Sequence, residues 1–195
     1  MHLLQHLRDT CHAHHEALHV HPLLAPLNRG AITKSHYGDI LAMFRTAYAA
    51  PERRKISTPL PDAPVLEWLE ADMETHHIAW QPPVFIEQPR FTLSQQVGYA
   101  YVKQGSTLGG QVISKHLYQA LGLTPSENRF FQGYGPQTGP NWKEFQQQIG
   151  ALQHDCNPQE AAESALQMFE MIRFQCDRVL EGRHEATDTT VGSGT

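Results

Sequence analysis

Two stretches of the chain concentrate residues able to do chemistry. CHAHHEALHVH, residues 11–21, carries His12, His14, His15, His19 and His21, five of the thirteen histidines in 195 residues. Within it His15–Glu16–Ala17–Leu18–His19 spells HExxH, a pattern in which two histidines one helical turn apart bind zinc and the glutamate acts as general base. That chemistry needs a further ligand, and a protease presents an edge strand to its substrate; the sequence offers no such strand. A histidine-rich run also produces the pattern by chance. The other use of a helical histidine beside an apolar stripe is axial ligation of haem iron. Leu3, Leu4, Leu7, Cys11 and Leu18 form such a stripe. On a wheel of about 100° per residue His14 lies nearest its centre and His15 at its edge, with His12 and His19 further out. Spacing alone leaves His14 and His15 as candidates.

The second stretch is GSTLGGQVISKHL, residues 105–117, which reads as helix yet places Gly105, Gly109 and Gly110 in its first turns. Each glycine inside a helix costs about 1 kcal/mol relative to alanine. Two arrangements offset that cost. A neighbouring helix backbone can pack closely there, or a planar ligand can lie on the bare backbone, where glycine also lets the helix bend. A phosphate-cradling loop is excluded, because no Lys-Ser/Thr pair follows and no strand precedes. A membrane dimer motif fails because the surrounding residues are polar.

The elements that must carry these stretches are helical throughout. Periodicity predicts helices over 2–19, 34–50 with Thr33 as N-cap, 64–78, 92–121, 141–152 and 158–182. Residues 51–64, with four prolines, and 81–90, QPPVFIEQPR, read as breaks. GLTPSENRFFQGYGPQTGP, 122–140, reads as a loop whose aromatics tie it down. No alternating strands and no internal repeat are present, so the class is all-α. One domain over 1–182 is expected, followed by a disordered tail over 183–195.

Composition narrows the function classes. A net charge of −5 speaks against nucleic-acid binding. No apolar run approaches the ~20 residues of a membrane span, and the N-terminus lacks the pattern of a secretory signal. Cys11, Cys156 and Cys176 form neither an even framework nor a CxxC pair, which points to reduced thiols in a cytoplasm.

Together, LRDTCHAHHEALH (7–19) and GSTLGGQVISKHL resemble the proximal and distal helices of the haem oxygenase family, in its bacterial, biliverdin-producing branch. LNRGAITKSHYGDIL (27–41) and FFQGYGPQTGPNWKEF (130–145) are similar to the same branch, so the resemblance spans about 5–182. It implies a helical bundle in which haem, at once cofactor and substrate, is sandwiched between the two helices. Register with the family makes His15 the iron ligand. The resemblance implies Gly105, Gly109 and Gly110 against the opposite haem face, with Arg8 and Tyr101 as partners for the propionates and Arg173 as a further candidate. Many members carry an aspartate directly after the first distal glycine; here Ser106 stands there, a hydroxyl able to hold water but without charge. Ser106, Gly109 and Gly110 are therefore the expected catalytic positions.

The implied reaction is oxidative opening of haem by dioxygen to biliverdin, carbon monoxide and ferrous iron. Electrons would come from a separate partner such as a ferredoxin or flavoprotein reductase, because no nucleotide-binding βα unit is visible here. Ser106 keeps a second class in play, a non-catalytic haem carrier or sensor on the same fold. A third, a related bundle acting on another small molecule without haem, conflicts with the distal glycine run.

Overall fold

A computed structural model describes residues 2–191, with side chains through Arg183. Eight α-helices follow one another: α1 (Leu3–His19), α2 (Ala25–Arg29), α3 (Lys34–Arg54), α4 (Val65–Thr75), α5 (Leu93–Leu121), α6 (Arg129–Gln132), α7 (Thr138–Leu152) and α8 (Pro158–Val191). Short 3-10 turns at Pro125–Glu127 and Gly135–Gln137 flank α6, and no strand occurs among the described residues. No described helix is long and apolar enough to cross a membrane.

Local chemistry explains the helix ends. Thr33 caps α3 as expected, its hydroxyl accepting the His36 N–H at 3.2 Å. Thr92 and Gln95 bond reciprocally at the start of α5, and Gly122, at φ 73°, ends it in the left-handed conformation. The proline at 51 does not end α3 as expected. The helix continues to Arg54, although a helical proline forfeits one backbone hydrogen bond. The extra turn is anchored from outside: Arg54 donates to the Pro89 carbonyl at 2.9 Å and its own carbonyl accepts the Phe91 N–H at 2.8 Å. The loop over 122–140 is tied down by Phe130 and Phe131, both buried. Asp72, fully buried, accepts the Arg129 and Phe130 N–H groups at 2.8 and 2.9 Å and so caps α6.

α8 packs against both α5 and α1. Leu3, Leu7 and Cys11 bury the apolar stripe of α1. α5 and α8 meet at Gly98, where an added Cβ would lie 1.9 Å from the Ala161 carbonyl oxygen. Gly98→Ala is therefore expected to cost about 1–3 kcal/mol or more by overpacking. The check is a lower denaturant midpoint at unchanged slope. α8 runs past the expected boundary at 182 to Val191. No proline interrupts it, and Arg183 Nε donates to Asp39 on α3 at 2.9 Å. Residues 192–195 of the expected tail lie outside the described residues.

Candidate functional site

Tyr101, Gly105, Leu108, Gly109 and Val112 recur along α5 at spacings of three and four, which puts them on one helix face. A side chain built at Gly105 or Gly109 would meet nothing within 4 Å. Leu108 and Val112 stay 38 % and 58 % exposed. Bare backbone within an uncovered apolar stripe marks a binding surface. Gly110 departs from the expectation that all three glycines meet the ligand. It is buried, and its Cβ would sit 2.4 Å from the Phe131 carbonyl oxygen. One residue turns the helix by about 100°, which carries Gly110 from the open face onto α6. Close packing explains Gly110, whereas the open face explains Gly105 and Gly109.

On α1 the two candidate histidines differ in exposure. His14 is half-buried, and its Nδ1 has no hydrogen-bond partner among the described residues. The His15 side chain is 55 % exposed. Its ring stands edge-on to Phe169 of α8, centroids 6.3 Å apart. Its Nε2 lies 3.2 Å from Nε2 of His19, and its Nδ1 lies 3.4 Å from Glu16 Oε1. Burial, then the neighbouring His19, lower the His15 pKa below the usual imidazole value, with Glu16 opposing. The ring is therefore neutral at pH 7, with a lone pair available to a metal. Among the described residues no group of three or more His, Cys, Asp and Glu side chains is placed to hold a metal ion.

The Arg8 charge acts on Tyr101. Burial raises the Tyr101 phenol, Cys11 adds to the rise, and the Arg8 charge opposes it. The Tyr101 ring also lies 6.4 Å from that of Trp142 on α7. The directions of the helices follow from their contacts with α8. His15 meets Phe169 and His21 meets Asp177, so α1 advances with α8. Ser94 accepts the Asn157 N–H and Gly98 packs on Ala161 and Ala165, so α5 advances with α8 too. Counting from Arg8 and Tyr101, His15 lies ~10 Å along α1, and Gly105 and Gly109 lie ~6 and ~12 Å along α5. The imidazole and the open glycines thus stand at matching depth.

Arg173 does not join this group. It follows Phe169 by one turn, which places it beyond His15 on the side away from Arg8. There it lies 3.9 Å from Asp177, and Asp177 in turn bonds His21. Ser106 is exposed on α5, and its hydroxyl donates to the Lys103 carbonyl at 2.7 Å. Phe169, which stands edge-on to His15, is not among the expected site residues. Phe169 shares a stripe with Ala165, Met168, Ile172 and Cys176, a spacing that any core helix shows.

Comparison with known proteins bears on the fold and on the glycine helix. The haem oxygenase family model matches residues 86–174, which include the glycine helix and α8 as far as Phe174 but not α1. Haem oxygenase-1 of the cyanobacterium Synechocystis sp. PCC6803, solved in complex with haem, shares the fold at TM-score 0.71 and 15 % identity, with 98 % of each chain covered. The haem oxygenase of Leptospira interrogans matches at TM-score 0.72 and 18 % identity, over 91 % of this chain and 100 % of that one. The NO- and CO-bound haem oxygenase of Neisseria meningitidis matches at 0.72 and 18 %, over 92 % of each. No curated protein matches the chain. The fold is that of these haem oxygenases, and the family model takes in the second of the two motifs.

Proposed function

We propose that this chain belongs to the haem oxygenase family and opens the ring of haem to biliverdin, carbon monoxide and ferrous iron, using dioxygen and electrons from an external donor such as a ferredoxin or flavoprotein reductase. The observation that carries the reading is a neutral, half-exposed imidazole at the same depth as bare backbone on a second helix. Haem needs both. His15 supplies a neutral nitrogen for the iron, and Gly105 and Gly109 leave no Cβ to hold a flat ring away. Leu108 and Val112 add exposed apolar surface for the macrocycle. Bound there, haem would supply both the iron that activates dioxygen and the carbon that is oxidised. The protein's part is to orient the ring and exclude competing chemistry.

Arg8 and Tyr101 offer the cation and hydroxyl that propionates require on entering a partly covered site. Charge-assisted contacts of this kind are worth ~1.5–3 kcal/mol. Arg8→Ala should therefore weaken haem binding about tenfold or more, or change the biliverdin isomer ratio. A titration followed by the haem absorption band, with chromatography of the pigment, checks it. Arg173 is the weaker propionate candidate, since it lies beyond His15 with Asp177 beside it.

A second reading, a non-catalytic haem carrier or sensor, draws on Ser106, which carries no charge and donates to its own helix. Supplying the haem complex with electrons in air separates the two. An oxygenase loses the haem spectrum to a bile pigment, and a carrier keeps it. Free, buried thiols at Cys11, Cys156 and Cys176 suit a reducing cytoplasm as the place of action.

A further inference from the structure

His15 and His19, the two histidines of the HExxH pattern, form a unit that haem ligation uses only by half. Both are exposed on α1, one turn apart. Their ring centroids are 4.4 Å apart, yet their Nε2 atoms are only 3.2 Å apart, so the two rings lean together at those nitrogens. That separation is a chelating one. Two imidazole nitrogens, each about 2.0–2.1 Å from one zinc ion and 3.2 Å from each other, subtend an angle of about 100° at it. The value falls between the cis angle of an octahedron, about 90°, and the tetrahedral angle, about 109°.

The surroundings suit a metal ion as well. Glu16 Oε1 lies 3.4 Å from His15 Nδ1. A carboxylate on that side favours the proton on Nδ1 and leaves the Nε2 lone pair toward His19, the arrangement by which an outer carboxylate orients a metal-bound histidine. The His15 side chain is 55 % exposed, so water reaches the remaining coordination positions. Among the described residues no third His, Cys, Asp or Glu side chain is placed to join the pair. A closed structural centre needs four protein ligands, and a reversible surface chelate does not.

We infer that in the haem-free protein His15 and His19 chelate one divalent transition-metal ion of the zinc class, with water completing its shell. Imidazole nitrogen is a ligand that such ions share. The ion and haem then exclude one another, because both claim the His15 ring, and a metal-loaded chain is closed to haem until the ion leaves. That exclusion rests on the proposed role of His15 as iron ligand; the chelate itself does not. A hydrogen bond between the two rings would give the same 3.2 Å separation, but it would hold no ion and would leave haem uptake indifferent to zinc.

Zinc titrated into the haem-free protein and followed by calorimetry tests the chelate. The first equivalent should fill one site per chain, and His15→Ala and His19→Ala should each weaken that site at least tenfold. His2 and His6 repeat the spacing at the start of α1, so His6→Ala is the control and should keep the site. Copper(II), as a second probe, should show hyperfine coupling to two nitrogens in the electron paramagnetic resonance spectrum of the parent and to fewer in His19→Ala. Zinc should raise the haem concentration needed for half-saturation at least tenfold in the parent. A first equivalent that survives His19→Ala undiminished, or is lost in His6→Ala, would overturn the chelate. Zinc bound through both histidines while haem uptake stays indifferent to it would leave the chelate standing and contradict His15 as the iron ligand.

Discussion

Replacing His15 by alanine is expected to remove the native imidazole-ligated haem spectrum, leaving at most a weak remnant, while His14→Ala leaves it intact. The reason is position on α1. His15 presents a neutral ring, 55 % exposed, toward the open side and against Phe169, whereas His14 turns its Nδ1 inward, where it finds no partner among the described residues. One neighbour complicates the single variant. His19 Nε2 lies only 3.2 Å from His15 Nε2, close enough to take over as a weak ligand once the first ring is gone. The double variant His15→Ala/His19→Ala should therefore lose any residual axial-imidazole signature that the single variant keeps, and His19→Ala alone should bind haem normally. An intact spectrum in the double variant, or its loss in His14→Ala, would move the ligand away from His15.

The glycines should part company under the same substitution. Gly109→Leu places a side chain over open backbone and exchanges a poor helix former for a good one, a propensity gain of about 0.8 kcal/mol. The haem-free protein should hold or gain stability while pigment formation collapses, because the added isobutyl group occupies the face where ring and dioxygen must sit. Gly110→Leu should behave in the opposite order. Its Cβ alone would fall 2.4 Å from the Phe131 carbonyl oxygen. Backbone cannot yield there as a flexible side chain would, so overpacking of ~1–3 kcal/mol or more is expected. Melting temperatures of the haem-free forms and pigment yields, measured on both variants, separate ligand contact from helix packing. A destabilised Gly109→Leu that still turns over haem would remove Gly109 from the site.

The two glycines also show how far the sequence reaches. Periodicity located α1, α5, α7 and α8 because their apolar stripes repeat at helical spacing, and Thr33 marked the start of α3 through its hydroxyl. It could not separate Gly109 from Gly110, adjacent in sequence but about 100° apart on the helix, because what each faces depends on where α6 comes to rest. Proline at 51 misled for a similar reason: the contacts that hold the next turn of α3 come from residues 89–91. Lys103 reads as an ordinary surface lysine until Glu52 and Asp62, 51 and 41 residues away, are folded against it. The histidines were legible only in number. His36 bonds the Leu23 carbonyl at 2.8 Å, His116 the Leu27 carbonyl at 3.1 Å, and His21 bonds Asp177 at 3.0 Å, so several of them tie loops and helix ends. Nothing in residue type distinguishes those from the one that faces the opening. The resemblance to a family supplied that register, and the exposure of His15 agrees with it.

The central claim is that haem bound at His15 is destroyed, not merely carried. Its most direct measurement is the product balance after the purified haem complex is supplied with electrons in air. The account predicts that the haem band disappears, that biliverdin is recovered by chromatography with its own absorption profile, and that carbon monoxide and chelatable ferrous iron appear in equal amounts with it. Haem recovered unchanged after many equivalents of electrons, or bleached without biliverdin and carbon monoxide, would contradict it.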